Sequence, residues 1–206
     1  MLVQPLEISV SIGSYRRFAA TPPCGLANAG SVIGPLDDPE AFYEPGRAEA
    51  GLLWFHSGWV EYSIAPRLPD GAAMLALELS AEICSDAPAF REDWPSDITL
   101  WIDGKEIGTW TCPGDFGGRR GQLTPAWWDA RDTQFGLLKR WRVDRTGSFL
   151  DGDPLSAVTI DDLATSADFQ IRLGVKEDAL HVGGLNLFGR SFGDHPQDLA
   201  LRFEYA

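Results

Sequence analysis

Apolar and polar positions alternate with a period of two along much of this chain, and that alternation predicts strands rather than helices. Residues 6–12 (LEISVSI) alternate cleanly, as a half-buried strand does. Residues 52–65 (LLWFHSGWVEYSIA) are aromatic and β-branched, with Gly58 as a candidate bulge. Residues 73–84 would pass for a helix by propensity, but apolar side chains at Leu75, Leu77, Leu79, Ala81 and Ile83 favour a strand. In residues 97–111 (DITLWIDGKEIGTWT) two short alternating runs flank Asp103-Gly104, a pair suited to the positive φ angles of a tight hairpin turn. Further strands are predicted at 136–143, 168–176, 183–188 and 198–205, with a short helix or turn at 125–131 and another at 159–164 capped by Thr159. Residues 20–50 form the longest irregular stretch and read as loop packed on one sheet. Long helical periodicity is absent, and 22 glycines and 14 prolines punctuate the runs. The pattern predicts an all-β fold: an antiparallel β-sandwich, jelly-roll-like, forming one domain over residues 1–206 with long loops.

Composition adds limits. The 206 residues are 44% hydrophobic, enough for a sizeable core. No apolar run approaches the roughly 18 residues of a membrane span. The opening MLVQPLEISVSIGSYRRF lacks the basic head and apolar block of a secretory signal, so a soluble cytoplasmic protein with no membrane partner is expected. Cys24, Cys84 and Cys112 are odd in number and widely spaced, which suits free buried thiols better than disulfides or a zinc ribbon. Seventeen basic residues against thirty acidic ones leave a net charge of −13, so no direct nucleic-acid partner is expected.

Several stretches could carry chemistry. Eight tryptophans are many for this length. Trp54, Trp59, Trp101 and Trp110 fall in predicted strands, where filling the core explains them better than stacking does. Trp127 and Trp128 fall in a loop beside Pro125, where either role is open. Indole faces combined with carboxylates and amides suit sugars, because C–H faces stack while hydroxyls need polar partners. Residues 92–97 (EDWPSD) place Glu92, Asp93 and Asp97 around Trp94, as an acid–base pair, a calcium ligand set or a solvated turn. Residues 177–198 gather His181, Asn186, Arg190, Asp194 and His195 among glycines, although no metal motif has this spacing. A nucleophile elbow, a Walker loop and a dinucleotide fingerprint are all missing. Residues 112–121 (CPGDFGGRRG) put four glycines around Asp115, Arg119 and Arg120. This is either a turn whose arginines offset an acidic surface, or part of a site whose arginines pair with a ligand's carboxylate.

Taken together, ICSDAPAFREDWPSDITLWIDGKEIGTWTCPGDFGGRRGQLTPAWW, TQFGLLKRWRV, FLDG and RLGVKEDALHVGGLNLFGRSFGDHPQDLALR form a set with a familiar order. They resemble the C-terminal domain of bacterial predicted transcriptional regulators of the ArsR type, from about Thr21 to the end. In those regulators a winged helix-turn-helix precedes a domain of this size, whereas this sequence opens directly on its first predicted strand. The resemblance therefore implies a free-standing relative or the sensory half of a longer protein. It assigns no ligand and no catalytic set.

Three readings follow. The first is a ligand-sensing β-sandwich for a carbohydrate or another small polar metabolite, related to the regulators' effector domain, with no cofactor and no metal. Its ligand contacts are expected from Glu92, Asp93, Trp94, Asp115, Arg119 and Arg120, from Trp127 and Trp128, and from His181, Asn186, Arg190 and His195. The second is a glycan-active hydrolase, lyase or isomerase using Asp115, Glu92 or His181 as acid or base. The third is an oligomerisation domain pairing edge strands, with a homodimer as its simplest form.

Overall fold

In a computed structural model, which describes residues 2–163 and 168–206, fifteen strands form two antiparallel sheets. In chain order the first six are β1 (Gln4–Val10), β2 (Arg17–Ala20), β3 (Cys24–Ala27), β4 (Val32–Ile33), β5 (Leu52–Phe55) and β6 (Gly58–Ile64). The long central strand β7 (Met74–Cys84) is followed by β8 (Ser96–Ile102), β9 (Lys105–Cys112), β10 (Leu137–Asp144), β11 (Gly147–Leu150) and β12 (Asp153–Ser156). The last three are β13 (Phe169–Val175), β14 (Leu185–Phe188) and β15 (Leu199–Tyr205). The larger sheet runs β12-β11-β10-β7-β14-β5-β3-β4, with β15 also on β7 and β1 on β15. The smaller runs β2-β6-β13-β8-β9. The architecture is the β-sandwich that the alternation predicts.

Alternation assigns the faces. On β7, Leu77, Leu79, Ala81 and Ile83 point into the space between the sheets. Across from them Val60 and Tyr62, Ile98 and Leu100, and Ile171 and Leu173 project from the smaller sheet. Each such aliphatic side chain contributes about 1.5–3 kcal/mol by leaving water. Buried phenols are paired: Tyr62 Oη donates to the Ile12 carbonyl at 2.6 Å and Tyr15 Oη to the Phe42 carbonyl at 2.7 Å. The three cysteines are buried and free, and burial pushes every thiol up, that of Cys24 to about 11. One edge of β7 pairs with β10 over residues 76–83; the other is divided, with β14 on residues 82–84 and β15 on most of the rest. That division opens space beside β14 and β5 for the loops described below.

Two expectations need correction. Residues 52–65 are not one bulged strand: β5 lies in the larger sheet and β6 in the smaller, and the chain crosses between them at residues 56–57. Gly58 begins the second strand at φ +112°, so close to the Ala19 carbonyl that no side chain fits. Residues 20–50 are not loop throughout. They hold β3, β4 and two short 3-10 helices, Pro39–Tyr43 and Pro45–Glu49. All four residues of β3 are buried, so it has no polar face to reveal it as a strand. A second Asp-Gly hairpin, Asp151 (φ +53°) and Gly152 (φ +94°), joins β11 to β12. At 159–164 the helix is a single 3-10 turn, Ile160–Asp162, in which the Asp162 carboxylate accepts from both the amide (2.9 Å) and hydroxyl (2.8 Å) of Thr159. Ala164 lies outside the described residues. No helix among the described residues is long and apolar enough to cross a membrane.

Candidate functional site

The outer face of the larger sheet, where β3, β5 and β14 lie side by side, supplies the floor of a cleft of about 540 Å³. Leu53 and Phe55 of β5 point into the core, so Trp54 between them points out. Its register partners are Gly25 on β3 and Asn186 on β14. Gly25 has no side chain because the Trp54 indole occupies that place. Three loops form the walls: residues 32–37, 86–89 and 127–133.

The third wall carries Trp127 and Trp128. Trp128 meets Trp54 edge-to-face at 5.7 Å and Trp127 at 5.5 Å, and packs on Phe192 at 5.5 Å. Its Nε1 donates to the Thr133 carbonyl at 2.9 Å, while Trp127 Nε1 donates to the Ala29 carbonyl at 2.8 Å. Trp128 is nearly buried, whereas Trp127 keeps 40% of its surface exposed. Holding this wall is the work of residues 112–121. Arg120 donates to the carbonyls of Pro125 (2.6 Å) and Trp128 (3.2 Å). Gly121 lies so close to the Gln134 carbonyl that a methyl group there would overlap it. Arg119 forks onto Asp194 (3.0 and 2.5 Å) and stacks over Phe135 at 3.7 Å. The glycine-rich stretch is therefore a brace behind the cleft.

Polar groups converge on the floor. Asn186 Nδ2 donates to the Ser85 carbonyl at 2.7 Å and lies 3.2 Å from Thr133 Oγ1 and 3.4 Å from Asp86 Oδ1. Thr133 Oγ1 donates in turn to Asp115 Oδ2 at 2.7 Å, which also accepts from the Ala87 amide at 2.9 Å. Asp115 is fully enclosed, and burial pushes its carboxyl up to about 7. Burial, then repulsion from Asp115, also raises the Asp86 carboxyl well above the ordinary range. Asp37, Asp129 and Asp132 complete an acidic rim, and no Lys, Arg or His is among the described residues lining the cleft.

Of the residues singled out in the sequence, the structure brings Trp127, Trp128 and Asn186 to the cleft, with Asp115 directly behind it and Arg120 supporting it. The others are held elsewhere. Glu92 and Asp93 are exposed on their loop, where Trp94 Nε1 donates to the Gly183 carbonyl at 3.1 Å. The His181 ring faces Asp97 at 3.3 Å and Arg190 pairs with Asp198 at 2.7 Å. The His195 amide donates to the buried Glu82, which also takes the amides of Gly136 and Asp194. Thus Asp115, Glu92 and His181, named together as candidate acids and bases, belong to three different surroundings. Among the described residues no three His, Cys, Asp or Glu side chains are grouped to hold a metal ion. Sequence reasoning missed Asp37, Trp54, Asp86, Asp129 and Asp132. For Trp54 a signal existed, since it lies out of phase with Leu53 and Phe55.

No protein-family model and no curated protein matches the sequence. Among solved structures, the chain is similar to the CBM36-1 domain of a multidomain xylanase from the hindgut metagenome of Trinervitermes trinervoides, with TM-score 0.39 and 12% identity over 98% of this chain and 96% of that one. It is similar also to a carbohydrate-binding module CBM36 in complex with calcium and xylotriose, with TM-score 0.40 and 11% identity over 96% and 98% of the chains. The catalytic domain of a GH87 alpha-1,3-glucanase in complex with nigerose gives TM-score 0.37 and 12% identity over 98% of this chain and 28% of that one. Likeness this distant transfers no ligand and no residue role.

Proposed function

We propose that the chain is a ligand-binding β-sandwich that takes a carbohydrate or another small polar metabolite in the Trp54–Trp127–Trp128 cleft, as the sensing module of an ArsR-type regulator relative. One observation carries the reading: three indoles, an amide and several carboxylates meet in a single concavity of about 540 Å³. That size is within the roughly 300–1,000 Å³ of small-molecule sites. The motif order quoted above supports the regulator relationship. Binding is favoured over turnover by the acids and bases named for it, since Asp115 is wholly enclosed and Glu92 and His181 lie outside the cleft.

The test is a titration of tryptophan emission, confirmed by calorimetry, against a panel of neutral, amino and acidic sugars. Trp127→Ala should weaken a hit by about ten-fold or more, equivalent to ~1.4 kcal/mol. Its melting temperature should fall by no more than several degrees, since the ring is already 40% exposed and the Ala29 carbonyl it releases can take water. Saturable binding that Trp127→Ala leaves untouched would place the site elsewhere and sink the proposal.

A further inference from the structure

We propose that the ligand of this cleft is an organic cation: a protonated amine or quaternary ammonium on a C–H-rich frame, of which an amino sugar is the carbohydrate form. The inference rests on the binding reading above and narrows it by fixing the ligand's charge.

Trp54 on the floor and Trp127 and Trp128 on one wall present indoles, whose electron-rich faces attract a cation, most strongly where water is excluded. Four carboxylates, Asp37, Asp86, Asp129 and Asp132, line the same space, and among the described residues only Asp129 has a cationic partner, Arg131 at 2.8 Å. Several buried acids elsewhere in the molecule are compensated. Glu61 takes Arg17 and Arg172, Asp198 takes Arg190, and Glu82 takes three backbone amides. Apart from Asp129, the cleft acids, half-buried Asp86 and the exposed Asp37 and Asp132, have no cationic partner among the described residues. Among the described residues Asp86 receives one long hydrogen bond, from Asn186 at 3.4 Å, and Asp37 one, from the Cys24 amide at 3.1 Å. The Asp132 carboxylate receives none from them. Burial and the nearby Asp115 push the half-buried Asp86 carboxyl up, so an arriving cation would take the place of its proton, while the exposed Asp37 and Asp132 offer acceptors at the rim.

Two alternatives fit less well. A metal ion needs several acids converging on one point, and among the described residues no such group of three exists. An acidic or phosphorylated ligand would meet only repulsion, because no Lys, Arg or His is among the described lining residues. A cation spread over a hydrocarbon frame uses both halves of the cleft, with its charge against the acids and its C–H groups against the rings. The net charge of −13 also steers cations towards the protein.

Four probes separate the possibilities: glucosamine, N-acetylglucosamine, glucose and choline, titrated against the whole chain near neutral pH by tryptophan emission and calorimetry. Glucosamine should bind at least about ten-fold more tightly than the two neutral sugars, and lose several-fold in affinity at about 0.5 M salt. Asp86→Asn and Asp132→Asn should each reduce that affinity several-fold more than they reduce the binding of either neutral sugar. Asp132→Asn is decisive should Asp86→Asn disturb folding, because it has no side-chain hydrogen bond to lose. Neutral sugars binding as well as glucosamine would overturn the charge inference and leave the sugar reading standing. Saturation by choline alone would support the charge inference and overturn the sugar reading. No saturation by any of the four would overturn both.

Discussion

Asp115 shows how a single residue's surroundings decide its role. The sequence places it among glycines and arginines, where it reads as a candidate acid or ligand contact. In the structure it is sealed behind Thr133, and its carboxyl is pushed up to about 7 by burial. A raised carboxyl means that the folded chain holds a proton which the unfolded chain has already released. Its contribution is therefore greatest near pH 4 and is lost as the pH rises to about 7, by an amount on the order of 4 kcal/mol at most. Asp115→Asn cannot ionise, so its melting temperature should gain on the parent's steadily between about pH 5 and pH 8. Parallel curves for the two proteins would show that Asp115 does not titrate there. Trp127 and Trp128 were legible as site residues because a proline-flanked loop gives an indole little core to fill. Trp54 was not, since a strand tryptophan fits both core and surface until its phase is compared with Leu53 and Phe55. Asp86 gave no sign at all: SDAP at 85–88 reads as an ordinary turn.

Among the elements, residues 112–121 link sequence to site most directly, because their glycines let one loop press on another. At Gly121 an added methyl group would meet the carbonyls of Gln134 and Gly193. Gly121→Ala should therefore cost about 2–4 kcal/mol, lowering the melting temperature by roughly 5–15 °C. Arg119→Ala loses a half-exposed ion pair and a stacking contact, but Asp194 keeps the Gln122 amide, so about 1 kcal/mol is expected. Equal effects in scanning calorimetry would contradict the division between backbone packing and surface pairing. The Asp103-Gly104 hairpin was legible because two alternating runs bracket a turn that needs positive φ, and the structure has φ +51° and +76° there. Asp151-Gly152 has the same chemistry, but its strands are four residues each, too short for the period to show. The change of sheet at residues 56–57 was hidden because both β5 and β6 are apolar, and composition does not say which sheet a strand joins.

Over the whole molecule, alternation was enough for the fold class, since two faces per strand and frequent turns leave few ways to bury the apolar side. The cleft was not legible, because its parts come from residues 37, 54, 86, 127–133 and 186, distant in sequence and joined only by strand order. The same assembly has a consequence for its three thiols. Cys24 sits in β3 next to the cleft wall, Cys84 ends β7 in the middle of the larger sheet, and Cys112 ends β9 at the edge of the smaller. All three are enclosed and held in the unreactive protonated form. A disulfide reagent should thus leave the native protein almost unlabelled, and each modification will time an opening of one part of the sandwich. Mass spectrometry of the labelled peptides should find Cys24 reacting before Cys84, and a ligand bound in the cleft should slow Cys24 most. Immediate reaction of all three would show that the sheets do not close over them. If they do close, the chain carries three internal clocks, and their order of striking tells which edge of the sandwich breathes first.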